Sequence, residues 1–79
     1  MEAFIKKHIG AGSGILGGKP CIKGTRISVQ MILEWFSSGT TEKEILENYP
    51  HLSAEGIRAA LAFAALSMYR DVYIDLKVS

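Results

Sequence analysis

The stretch Thr41 to Ala65, TEKEILENYPHLSAEGIRAALAFAA, decides the fold and reads as two short helices joined by a tight turn. Thr41 and Glu44 have capping-box spacing: a hydroxyl takes the backbone N–H three residues on, and a carboxylate reaches back. Ile45, Leu46 and Tyr49 then supply one apolar face. Pro50 ends the helix, because the residue before a proline is pushed out of the α region. Ser53 is placed to cap the next helix, in which Ile57, Ala60, Leu61, Ala64 and Met68 recur at helical spacing and predict a core stripe. A short helix, a break and a longer alanine-lined helix is the outline of a helix-turn-helix, with Ala60 and Ala64 small enough for close packing. The same pattern fits any compact αα-hairpin.

Upstream of this stretch, Ser28 caps a helix whose core face is Val29, Ile32, Leu33 and Phe36, ending before Gly39. Met31 and Trp35 fall outside that stripe. They widen the apolar arc to roughly 200°, against the ~100° that packing on one side requires. On the last helix Glu55, Arg58, Ala59 and Ala62 lie opposite the core stripe, followed by the apolar Phe63, Leu66, Tyr69 and Tyr73. A chain of 79 residues buries only roughly 60–65% of its unfolded surface, which leaves helices with two apolar sides poorly covered. The expectation is a homodimer with Met31, Trp35, Phe63 and Leu66 at its interface.

Phe4 to Ile9, FIKKHI, is a strand candidate, and Pro20 to Ile27, PCIKGTRI, a second strand or two short ones bent at Gly24. Together they predict a basic β-hairpin or arm. The glycine-rich run between them holds Gly12, Gly14 and Gly17 at G-x-G-x-x-G spacing. A dinucleotide site is excluded, because that motif must open a helix inside a βαβ unit, and here Gly18-Lys19-Pro20 follows. A P-loop fails too, with Ser13 at the first glycine position and Pro20 where Ser or Thr should bind magnesium. A turn or loop is the reading that remains. At the other end, Val72, Ile74, Leu76 and Val78 alternate with Tyr73, Asp75 and Lys77, which predicts an extended tail after a helix ending near Asp71. The expected organisation is one α+β, mainly α domain: a β arm over 1–27, three helices as a helix-turn-helix over 28–71, and a tail over 72–79.

Charge is unevenly placed. Residues 1–30 carry Lys6, Lys7, Lys19, Lys23 and Arg26 against Glu2, a net +4, and residues 31–79 carry four cations against seven acids, a net −3. Phosphate attraction should therefore come from the N-terminal third, through Lys19, Lys23 and Arg26. A recognition helix here offers Glu55 and Arg58 as polar readers and Ala59 and Ala62 for thymine methyls, with Thr41 and Ser53 at the helix starts. Gly56 costs its helix about 1 kcal/mol relative to Ala, which points to a close backbone approach. Chemistry of other kinds finds no footing. His8 and His51 lie far apart and neither forms a metal-type pair with Cys21, so no metal or cofactor is expected. Glu42, Glu44 and Glu47 read as helix-start charges, and no Ser, Cys or Lys has an activating neighbour, so no enzyme is expected. The lone Cys21 fits a reducing cytoplasm, and no apolar run reaches the ~18 residues of a membrane span.

The run Gly18-x-Pro20-x-Ile22-x-Gly24-Thr25-Arg26-Ile27, then Gly39, then Tyr49-Pro50-x-Leu52-Ser53, then Ile57-x-Ala59-Ala60-Leu61 resembles the VapB-like antitoxins. These are short prokaryotic proteins long grouped as a domain of unknown function. The resemblance covers about residues 15–65. It implies a homeodomain-like helix-turn-helix behind a small β element, and a PIN-like ribonuclease toxin as partner. Gly56 and Phe63 depart from the acidic residue and the tyrosine that the pattern leads one to expect. The resulting expectation is the antitoxin of a type II toxin–antitoxin pair that represses its own promoter and neutralises the toxin. The tail would do so by adding the edge of Val72, Ile74 and Leu76 to a toxin sheet, with Arg70 or Lys77 reaching the nuclease carboxylates. The competing expectation is a dimeric interaction module that keeps the helix-turn-helix shape without DNA affinity.

Overall fold

Ile32, Ile45 and Ile57 are fully buried, one from each of three helices, and the rest of the chain is arranged around them. The computed structural model describes residues 1–10 and 18–70. The expected glycine loop and the extended tail from Val72 to Val78 lie outside the described residues. In chain order the elements are α1 (Glu2–His8), β1 (Ile9–Gly10), β2 (Cys21–Ile22), α2 (Val29–Ser37), α3 (Glu42–Asn48) and α4 (Ala54–Arg70). The fold is α+β and mainly helical, with one antiparallel two-stranded sheet in which Ile9 faces Ile22 and Gly10 faces Cys21.

Each of the three later helices starts on the residue its local chemistry predicts. The Ser28 hydroxyl accepts from the Met31 amide at 3.0 Å, and the Ser53 hydroxyl from the Gly56 amide at 3.0 Å. At α3 the full capping box is present. Thr41 Oγ1 accepts from the Glu44 amide at 3.1 Å, and Glu44 Oε1 accepts from the Thr41 amide at 2.9 Å. Those two bonds satisfy two of the orphan N–H groups of a seven-residue helix too short to persist by propensity.

The expected strand over Phe4–Ile9 is instead helix α1, followed by only two residues of strand. Three features favour the helix. Ile5 and Ile9, four apart, are buried while Lys7 between them is exposed, whereas a strand would set all three on one face. The Phe4 and His8 rings, also four apart, meet edge-on at 5.1 Å. Glu2 in the first turn and Lys6, Lys7 and His8 in the last complement the helix dipole. The second expected strand does bend at Gly24. Its φ of +80° and the bond from the Thr25 amide to the Ile22 carbonyl are those of a type II turn. Beyond the turn the chain runs back along β2, with the Ile22 amide donating to the Ile27 carbonyl and Cys21 bridging Ser28.

Helix α1 packs on α4 and changes which face of α4 is buried. Ala59 and Ala60 are 0% exposed, whereas Leu61 and Met68, expected in the core stripe, are 39% and 63% exposed. The buried arc has turned toward Ala59 and Phe63, the side that α1 and the sheet occupy. Leu33, expected in the core face of α2, is likewise exposed. Among the described residues no helix is long and apolar enough to cross a membrane.

Candidate nucleic-acid interface

The start of α4 projects its polar residues outward because Ile57 is anchored in the core beneath them. Ser53, Glu55 and Arg58 are exposed, and Glu55 and Arg58 stand three apart on one face. Gly56 lies on the opposite, buried side. A Cβ there would meet Ser53 Oγ at 3.3 Å and Ile22 Cγ2 at 3.4 Å, so the helix start is seated against β2. This is the close approach that a glycine in a first helical turn announces.

Several residues expected at a DNA contact are engaged elsewhere. Ala59 is wholly buried and presents no methyl to a base, and Ala62 is half-buried against the core. The Thr41 hydroxyl is committed to the capping box, accepting from the Glu44 amide and donating to its carboxylate at 3.1 Å. Lys23 donates its ammonium to the Lys6 carbonyl at 2.6 Å, and its amide to the His8 carbonyl at 2.8 Å. It closes the C-terminus of α1, the end where a cation is favoured. Lys19 and Arg26 remain exposed. Arg70 is the last residue of α4, and Lys77 lies outside the described residues.

Of the residues expected between two copies, Trp35 stacks on Tyr49 with centroids 4.9 Å apart and planes 18° from parallel. Met31, Phe63 and Leu66 pack against the core cluster of their own chain. The apolar excess of α2 and α4 is therefore met in part by α3 and by the helix that the sequence reading lacked. What stays open is a groove between α2 and α4 lined by Pro20, Leu33, Phe63 and Met68, about 380 Å³ in volume.

A second groove, about 600 Å³, was not anticipated. Arg26, Ile27, Met31, Tyr49 and His51 line it, together with the Gly24-Thr25 turn. The Thr25 hydroxyl fixes the backbone there, donating to the Ile22 carbonyl at 2.7 Å and accepting from the Ile27 amide at 3.0 Å. The Gly24-Thr25 pair is turn chemistry that signals a braced loop, but nothing local ties that loop to His51. Among the described residues the one titrating group that the fold perturbs is Glu44. The Thr41 backbone N–H, and then the Thr41 hydroxyl, hold its carboxyl below the usual carboxylate range. Among the described residues no group of three or more His, Cys, Asp or Glu is placed to hold a metal ion.

A two-stranded sheet bracing the start of a long helix, with three shorter helices packed against it, defines a small α+β class. Residues 9–64 match the family described as "Protein of unknown function (DUF433)", and the chain belongs to that family. It resembles a crystal structure of a DUF433 member protein from Anabaena variabilis ATCC 29413, with a TM-score of 0.76 at 30% identity. That match covers 87% of this chain and 68% of the other. The uncharacterized protein y4eO of Sinorhizobium fredii (strain NBRC 101917 / NGR234) is 32% identical over 68 residues. This is 86% of the present chain, which spans 31% of the length of that relative.

Proposed function

We propose that the protein is the antitoxin of a type II toxin–antitoxin pair, a dimeric autorepressor that binds its own promoter and neutralises a PIN-like ribonuclease toxin. In this reading α2, α3 and α4 form a homeodomain-like helix-turn-helix with α4 in the major groove. The observation that carries it is the outward face at the start of α4. Arg58 is exposed beside Glu55, with Ser53 at the helix cap. Arginine is the side chain best suited to read guanine edges, through a bidentate contact. The resemblance of the Gly18–Leu61 motif run to VapB-like antitoxins supports the same reading, and the C-terminal segment from Arg70 is the proposed toxin-binding element.

A second reading, an interaction module without DNA affinity, is favoured by the engagement of Lys23 and Thr41 within the chain and the burial of Ala59. That leaves few side chains for base and phosphate contacts. A gel shift with the DNA upstream of the reading frame separates the two. Under the first reading the full chain retards that duplex, and Arg58→Ala relaxes sequence preference by about 1–3 kcal/mol per lost bidentate contact. A chain that retards no duplex, yet sediments as a dimer and protects against a ribonuclease encoded beside it, fits the second.

A further inference from the structure

The groove beside the α3–α4 turn joins a guanidinium and an imidazole that the sequence keeps far apart. Arg26 comes from the turn after β2 and His51 from the segment that leads into α4; both line the groove and both are exposed. Each sits on a braced frame. The Thr25 hydroxyl bonds fix the backbone around Arg26. Tyr49, two residues before His51, is held by its stack on Trp35, and its carbonyl accepts from the Leu52 amide at 2.9 Å. No carboxylate lines the groove, although acids outnumber cations in the chain beyond residue 30. A groove lined by a guanidinium, an imidazole and apolar side chains suits a small tetrahedral anion, since a guanidinium can give two parallel donors and an imidazole a third.

We infer that this groove holds one backbone phosphodiester of duplex DNA, with Arg26 and His51 as its ligands, so that the phosphate fixes how α4 meets the major groove. The inference rests on the proposed DNA-binding reading and assigns His51 a role that a plain turn residue would not have. Phosphate contacts position a protein on the duplex without reading sequence. Histidine gains its charge between about pH 8 and pH 5, so a histidine–phosphate contact strengthens toward acid. Arg26 and Tyr49 line the groove with His51, and no acidic side chain does.

The test uses fluorescence anisotropy of the full chain on two labelled duplexes, the upstream DNA and a scrambled copy, at about pH 5.5 and about pH 8. The expected result is binding tighter at the lower pH by about tenfold on both duplexes, the scale of one charge-assisted hydrogen bond. His51→Gln abolishes that gain, while His8→Gln, changed on α1 against Phe4, keeps it. Arg26→Gln weakens binding at both pH values and lowers the salt slope by about 0.9. Matched thermal melts confirm that each variant is folded. A His51→Gln protein that keeps the gain, or a wild type equally tight at both pH values, overturns the inference and leaves the DNA reading standing. No duplex binding at either pH removes the DNA reading and the inference with it. Inorganic phosphate serves as the competing source: if it alone saturates the His51 ring resonances at low-millimolar concentration, the groove is a free-phosphate site and the inference fails.

Discussion

Helices α1 and α3 are both seven residues long, yet they are held in opposite ways. Helix α3 carries its own start signal, a reciprocal pair of hydrogen bonds between Thr41 and Glu44, and drives Ile45 into the core. Helix α1 has Met1 at its cap with no side-chain bond there. It depends on distant groups: α4 beneath Ile5 and the Lys23 ammonium on the Lys6 carbonyl. A short helix can be written into adjacent residues or imposed by the rest of the fold. Only the first kind keeps a local signature when its neighbours are removed.

The largest expected effect comes from emptying the two apolar anchors. Ile45→Ala, at a site 1% exposed, should cost about 3–5 kcal/mol and lower the midpoint of the whole unfolding transition. Ile5→Ala, at a site 7% exposed near the chain terminus, should cost about 2 kcal/mol. Its hydrogen-exchange signature should be confined to α1, opening below the global free energy. Equal, global losses from both substitutions would dissolve the distinction between the two helices.

Next in size is the capping box. Thr41→Ala should cost about 1 kcal/mol in urea denaturation, the ordinary worth of a threonine cap. The same box makes a pH prediction. The folded pKa of Glu44 is depressed, so its contribution is present above the unfolded value and disappears as pH falls through the folded one. Wild type should therefore exceed Glu44→Gln in stability at neutral pH and converge with it on acidification. In the Thr41→Ala background the hydroxyl contact is gone and the backbone contact remains, so the pH-dependent difference should shrink without vanishing.

The smallest effect sharpens the comparison from the other side. Lys23→Met removes the ammonium from the C-terminal carbonyls of α1 and should cost a few tenths to about 1 kcal/mol. The Lys7 and His8 amides should exchange faster while those of α3 stay unchanged. If α3 loosens as well, the two helices are coupled more tightly than their separate anchoring implies.

The same division explains what could be read in the residues. The starts of α2, α3 and α4 follow from Ser28, Thr41 and Ser53, because each hydroxyl acts on an amide within three residues. The exposure of Arg58 followed from helical spacing alone. Phe4–Ile9 was illegible because a six-residue apolar and basic run without a cap fits a strand as well as a helix; only packing against α4 decides. The burial of Ala59 and the exposure of Leu61 follow from where α1 sits. The Arg26–His51 groove was hidden for a related reason. It exists only where two turns, each ordinary by itself, are brought together by the core.

The stack of Trp35 on Tyr49 has an optical consequence. The chain contains one tryptophan, and its ring lies against the residue that ends α3 and borders the groove of Arg26 and His51. Indole emission therefore reports on one junction, where α2, the C-terminus of α3 and the groove wall meet. Detachment of α1 should leave that signal unmoved, loss of α3 should shift it, and an occupant of the groove should perturb it through Tyr49. The protein carries an intrinsic, site-specific chromophore that separates its two kinds of helix in a single unlabelled titration.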